Sequence, residues 1–244
     1  MFKITRDMLK AKGACAEGYR EFCKAFPAEK YPDGVEYQDL LDKCAENDRD
    51  SHAFRLIGAF GKTTDVRKIE GGYISDKSIF VSGRLEVTGK IVCKRGIKVG
   101  YGIKAGEGIE AGWGIEAGDG IEAGWGIKAG EGIEAGEGIK AGCGIKAGWG
   151  IEAGGGIEAG WGIKAGGGIE AGCGIEAGCG IKAGEGIEAG WGIEAGGDIE
   201  AGKKFGIYAG LKVRIDSDAR RVTAKNKPDN LMCGVYVPIY DDGE

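Results

Sequence analysis

From residue 79 onward the apolar positions of the chain fall on a fixed beat. Isoleucine recurs at every sixth position, a charged residue follows it, and a small apolar one comes next. Ile103-Lys-Ala, Ile109-Glu-Ala and Ile115-Glu-Ala open a series that runs to Gly202. The pattern is looser at its start, in Ile79-Phe-Val81, Leu85-Glu-Val87, Ile91-Val-Cys93 and Ile97-Lys-Val99. It fades through Ile207-Tyr-Ala209 and Leu211-Lys-Val213. Side chains alternate sides along a strand, so the Ile and Ala of each triplet face one way and the Glu or Lys the other. The Gly-x-Gly between triplets predicts a corner, because glycine accepts positive φ without steric penalty. Three-residue strands joined by such corners wind into a parallel β-solenoid. Its interior is dry, its outer columns are charged, and each coil pairs with its neighbours at a spacing of about 4.8 Å.

The charged positions indicate the size of the coil. Lys128, Lys146, Lys164 and Lys182 fall on every third hexad, and so do Glu116, Glu134, Glu152, Glu170 and Glu188. That phase predicts three hexads per turn, about 18 residues, in a triangular prism of about eight coils and roughly 40 Å in length. A flat coil of two hexads is the alternative, and would stack Trp113 on Trp125 and Trp149 on Trp161. Handedness stays open. The period is that of hexapeptide left-handed β-helix proteins, but their small residue two positions before the aliphatic one is missing here. The resemblance is therefore one of period and carries no acyltransferase activity.

The flanks follow other rules. Residues 1–65 read as a small helical domain. Thr5 caps a helix DMLKAK that Gly13 ends. A second helix, Ala14 to Ala25, places Tyr19, Phe22 and Cys23 at helical spacing and stops before Pro27. YPDGV is a turn by its chemistry. EYQDLLDKCAEN and SHAFRLIGAFG supply two more helices, the first with Tyr37, Leu40, Leu41 and Cys44 on one face. A region of this size is marginal alone, so it is expected to pack on the solenoid and cover its open edge. Residues 66–216 form the solenoid. Residues 217–244 leave the register, and ARRVTAK and MCGVYVPIY read as two strands of a short C-terminal β cap.

Composition narrows the function classes. Glycine is abundant, at 51 residues, but the six-residue period and only 4 prolines exclude collagen. No apolar run is long enough to span a membrane, and the charged start has no signal core. The eight cysteines form no C-x-x-C pair and His52 is the only histidine, so zinc spacing is absent, free thiols are expected, and nothing calls for a metal or cofactor. Between Ile97 and Gly202 seven lysines face seventeen acidic residues, giving the array a charge of −10 against −5 for the whole chain. Such an array repels nucleic acid.

The opening KITRDMLKAKGACAEGYREF and the close FGIYAGLKVRIDSDARRVTAKNKPDNLMCGVYV resemble the ends of bacteriophage and prophage proteins in which a short helical region precedes a repeat array. The resemblance covers about a quarter of the chain, and no site residue is carried over from it. What it implies is origin: a phage-encoded protein acting in the cytoplasm of a bacterial host.

Candidate chemistry is sparse. His52 reads as an ordinary residue of the helical region, and a repeated glutamate is no tuned acid-base pair. No Gly-x-Gly is followed by the lysine and hydroxyl of a phosphate loop. The chain is thus expected not to be an enzyme. Two features stand out as binding candidates. The glutamate column of Glu116, Glu134, Glu152, Glu170 and Glu188 either keeps the rod soluble or presents carboxylates to a protein that grips phosphates. Trp113, Trp125, Trp149, Trp161 and Trp191 occupy corner positions, where they cover glycine backbone, point inward at the corner, or offer contact sites. The expected function is an interaction protein that inhibits a host protein, either a nucleic-acid enzyme or a defence complex, by occlusion or acidic mimicry. A structural, polymer-forming or virion-associated rod is the alternative. Pairing of a glutamate face on a lysine face would give a homodimer.

Overall fold

The computed structural model describes residues 2–213 and 217–239. It is mainly β. Short parallel strands, most of them a single triplet, form three sheets of eight, nine and ten strands. Through the regular array each coil contributes one strand to every sheet and spans three hexads. Ile109 pairs with Ile91 on one side and Ile127 on the other, with Ala111 beside Cys93 and Ala129. This register excludes the two-hexad coil, and it puts Trp113 and Trp125 on different corners. Within each triplet from Ile103 to Ala195 the Ile and the Ala are buried and the central residue is not. The Ile and Ala columns merge into one continuous core along the array. Each buried isoleucine contributes about 1.5–3 kcal/mol by leaving water.

Along the perfect hexads, from Ile103 to Ala195, the three sheets differ only at their outward positions. One, the glutamate sheet, carries Phe80, Lys98, then Glu116, Glu134, Glu152, Glu170 and Glu188, and Tyr208. The lysine sheet carries Glu110, Lys128, Lys146, Lys164, Lys182 and Glu200 in succession. The third, the mixed sheet, alternates lysine and glutamate from Lys68 to Glu158 and then runs through Glu176 and Glu194.

The corner glycines have a different cause from the one expected. None of those between Gly102 and Gly202 has a positive φ. What they lack room for is a Cβ. At the glycine after each Ala, an added Cβ would meet the carbonyl oxygen of the coil before it, as at Gly136, where it would lie 2.1 Å from the Gly118 oxygen. The glycine before each Ile is less confined. At Gly132 the nearest atom would be 3.5 Å away. Glycine is needed here for close approach of backbones, not for a left-handed turn.

Two strands precede the first recognisable hexad. Val66–Ile69 pairs with Arg84–Val87, and Tyr73–Ser75 with Ile91–Cys93. At the other end Leu211-Lys-Val213 is not a rung. Gly210, at φ +75°, turns the chain away, and Leu211 is exposed. The strands Arg221–Ala224, Leu231–Cys233 and Val235–Pro238 continue the mixed and glutamate sheets in parallel, so they prolong the solenoid instead of forming a separate sheet. Residues 214–216 and the last five positions of the expected cap lie outside the described residues.

The helical region contains four helices: α1 (Arg6–Ala11), α2 (Ala16–Ala25), α3 (Tyr37–Glu46) and α4 (Asp50–Phe60). Thr5 accepts a hydrogen bond from Met8 N at 3.2 Å and caps α1 as its position predicts. A short antiparallel ladder, Lys3–Ile4 with Val35–Glu36, went unsignalled in the sequence. The core of this region includes Phe80, the residue that stands where the array has Glu or Lys. Gln38 on α3 donates from its amide to Phe80 O at 2.7 Å and accepts from Ser82 N at 3.3 Å. One side chain thus satisfies backbone groups of the first strand in the glutamate sheet. Asp42 pairs with Arg67, and Asp48 with Lys77 and Arg95, tying helices to coils. No described helix is long and apolar enough to cross a membrane.

Candidate functional site

The in-register ladder lines up the five predicted glutamates, one per coil, at intervals of about 4.8 Å. Glu116 is half-buried and is paired with Lys98 from the preceding coil. Glu134, Glu152, Glu170 and Glu188 are exposed, and among the described residues none of the four has an ion-pair partner. The other two faces neutralise themselves in part. Lys104 pairs with Glu122 and Lys140 with Glu158 at 3.4 and 2.7 Å. The lysine column is closed at its ends by Glu110 with Lys128 and Glu200 with Lys182.

The corners beside the glutamate sheet add to the same surface. The corner before it stacks Trp113, Glu131, Trp149, Gly167 and Glu185, each backbone N–H bonded to the residue one coil earlier. The corner after it stacks Asp119, Glu137, Gly155, Cys173 and Trp191. Glutamate face and first corner together form a shallow groove of about 690 Å³, closed by Phe54 and Phe80 at one end and Phe205 at the other. The five tryptophans are all exposed, from 45% at Trp113 to 65% at Trp149 and Trp161, so they do not point inward at the corners. Fold and period divide them. Trp113 and Trp149 line the glutamate groove, while Trp191 stands on its far border. Trp125 and Trp161 belong to the corner leading into the lysine sheet, with Cys143 between them.

The electrostatics of this end are visible in two further contacts. Arg95 lies over the Trp113 ring at 5.3 Å, and Lys98 lies over Phe54 at 5.0 Å. Both cations sit where the helical region meets the groove. They leave the four distal glutamates of the column, and Glu131 and Glu185 at the corner, without an ion pair among the described residues. Sequence periodicity found the glutamates but not the groove. The assignment of two tryptophans to it needed the three-hexad register, and the aromatic end walls came from Phe54 and Phe205, which lie outside the perfect repeat.

Among the described residues no group of three or more His, Cys, Asp or Glu side chains is placed to hold a metal ion. All eight cysteines carry free thiols. No protein-family model matches the chain, and comparisons with curated proteins and with solved structures likewise gave no match.

Proposed function

We propose that this protein is a non-enzymatic interaction protein that blocks a nucleic-acid-binding groove on a host protein. In this reading it is a phage-encoded inhibitor in the bacterial cytoplasm, as the resemblance of its two ends implies. The solenoid is a triangular rod, and its last strands act as a cap. The observation that carries the proposal is the line of Glu134, Glu152, Glu170 and Glu188, exposed and without an ion pair among the described residues, beside Trp113 and Trp149.

Charge density favours one kind of target. Duplex DNA carries about one charge per 1.7 Å of axis, and each strand about one per 3.4 Å. A glutamate column at about 4.8 Å is closer to the single strand than to the duplex. Grooves that take single strands combine basic side chains with aromatic platforms on which bases stack. The carboxylates stand in for phosphates, and the exposed indoles at the corner stand in for bases. A rod that polymerises end to end is less well supported, because helices pack on the first coils. Homodimerisation is the second reading. It is favoured by Lys146 and Lys164, which are exposed and have no ion pair among the described residues.

The test is capture from a bacterial lysate with mass spectrometry, followed by elution with a single-stranded oligonucleotide. The proposal expects nucleic-acid-binding proteins to be retained, released by the oligonucleotide, and lost when Glu134, Glu152, Glu170 and Glu188 are changed together to Gln. Retention that survives this variant and is indifferent to oligonucleotide would refute it. Sedimentation at low salt separates out the homodimer.

A further inference from the structure

The only histidine of the chain and one of its cysteines, 37 positions apart in sequence, meet in the helical region. Cys15 caps the N-terminus of α2, and its Sγ accepts a hydrogen bond from Gly18 N at 3.4 Å. His52, in the first turn of α4, brings Nε2 to 3.9 Å from that sulfur, within the range of a sulfur hydrogen bond. Its other ring nitrogen, Nδ1, faces Glu21 Oε2 at 3.9 Å, an ion-pair distance. Glu21 is held in turn by Arg49, which also binds Glu17. Gly18 leaves the space. A Cβ there would sit 3.3 Å from the sulfur and 3.5 Å from the imidazole.

These groups open on a cavity of about 430 Å³ between the helices. Its lining is largely apolar and aromatic, with Leu9, Tyr19, Phe22, Phe26, Leu56 and Phe60. Lys12 and Arg55 stand on its rim, and neither has an ion-pair partner among the described residues. A nucleophile, a base in contact with it and a carboxylate facing the base form the arrangement that activates a thiol. The tautomer with its proton on Nδ1 points that proton at Glu21 and leaves the Nε2 lone pair for the thiol.

We propose that Cys15, with His52 and Glu21, is a covalent acceptor for an apolar acyl group carried as a thioester. His52 Nε2 takes the proton of Cys15. The sulfur attacks the thioester carbonyl carbon, a new S–C bond forms on Cys15, and the C–S bond to the carrier thiol breaks. The proton passes from His52 to the departing thiolate. No oxidant or reductant is required, because one thioester replaces another. The acyl chain occupies the apolar cavity, and the rim cations face the anionic carrier. His52 touches the reacting sulfur, whereas Glu21 positions His52. Modification is stoichiometric and independent of the glutamate groove.

The test uses the full-length protein with octanoyl-coenzyme A, read by intact mass and peptide mapping. The proposal expects one thioester adduct, on Cys15, forming about tenfold or more faster than on the exposed Cys179. His52→Gln is expected to slow the Cys15 adduct by about tenfold or more, and Glu21→Gln by a few-fold. Acetyl-coenzyme A is expected to react more slowly than the octanoyl thioester, since it leaves the cavity empty. Labelling of Cys15 no faster than Cys179 in the wild-type protein would overturn the proposal without any variant. So would a rate at Cys15 unchanged by His52→Gln in a protein whose helical circular dichroism is intact.

Discussion

Gly136 and Gly132 flank one triplet, Ile133–Ala135, yet alanine should have opposite consequences at the two positions. At Gly136 the new Cβ would lie 2.1 Å from the Gly118 carbonyl oxygen. A comfortable C···O contact is about 3.3 Å, so the two coils must separate locally by about 1.2 Å. The ladder bonds at that corner run from Gly136 N to Ala117 O at 3.0 Å and from Glu137 N to Asp119 O at 3.2 Å. A displacement of this size takes both beyond hydrogen-bond length. Each backbone group left without a partner costs about 1–3 kcal/mol, so Gly136→Ala should destabilise by about 3–5 kcal/mol. At Gly132 the Cβ meets only an ordinary contact of 3.5 Å with Gly150 O, and φ is not positive. There the lower entropy of the unfolded chain works in favour of alanine, by about 0.4–1 kcal/mol. Urea denaturation followed by circular dichroism gives both numbers from one pair of variants. Equal stabilities, or a larger loss at Gly132, would show that the corners are not held by backbone proximity.

Glu152→Lys replaces two like-charge neighbours with two opposite ones. It should stabilise by about 0.5–1 kcal/mol at low salt and lose that gain at a salt concentration of about 1 M, as thermal melts under the two conditions would show. Gln38→Ala leaves the Phe80 carbonyl and the Ser82 amide without their partner. A loss of about 1–3 kcal/mol and faster proteolysis between the helices and the first coils are expected, and an unchanged cleavage rate would contradict the role assigned to Gln38. Burial pushes the Cys44 thiol up to about 11, so mild alkylation at pH 8 should spare Cys44 while modifying the exposed Cys179, until urea makes them equal. The hydrogen bond from Lys77, with Arg95 nearby, holds the Asp48 carboxyl below its ordinary value. A lowered carboxyl adds stability above its unfolded value, at about pH 4, and that stability is lost as pH falls through the lower folded value. The protection factors of amides around Asp48, with intrinsic exchange at each pH divided out, should therefore fall in acid, and Lys77→Gln should remove most of the effect.

Much of this architecture was legible because the repeat is nearly free of noise. The three-hexad phase of Lys128, Lys146, Lys164 and Lys182 is the same fact as the pairing of their strands. The helices were readable from Thr5, Pro27 and the apolar face of Tyr37, Leu40, Leu41 and Cys44, all of which are buried except the two end markers. The reason for the corner glycines was not legible. A positive φ and a blocked Cβ select the same residue, and only the distance to the next coil separates them. Phe80 in a charged slot was a readable sign that something covers the first coil, but it does not name the covering side chain, Gln38. Leu211-Lys-Val213 keeps the apolar-charged-apolar order, four residues after Ile207 instead of six, while Gly210 diverts the chain, so the triplet alone overcounted the rungs. The contact of Cys15 with His52 depends on how α2 and α4 pack, which neither local sequence carries.

The decisive quantity is a distance. Spin labels placed at positions 116 and 188 by chemistry that leaves the native cysteines untouched would lie four coils apart in a solenoid of three hexads per turn, about 19 Å along the axis. Pulsed electron spin resonance should return a single narrow distribution close to that value, which places the intervening carboxylates in one line. A peak at about 29 Å, the separation for a coil of two hexads, or a broad distribution with no preferred distance would contradict it.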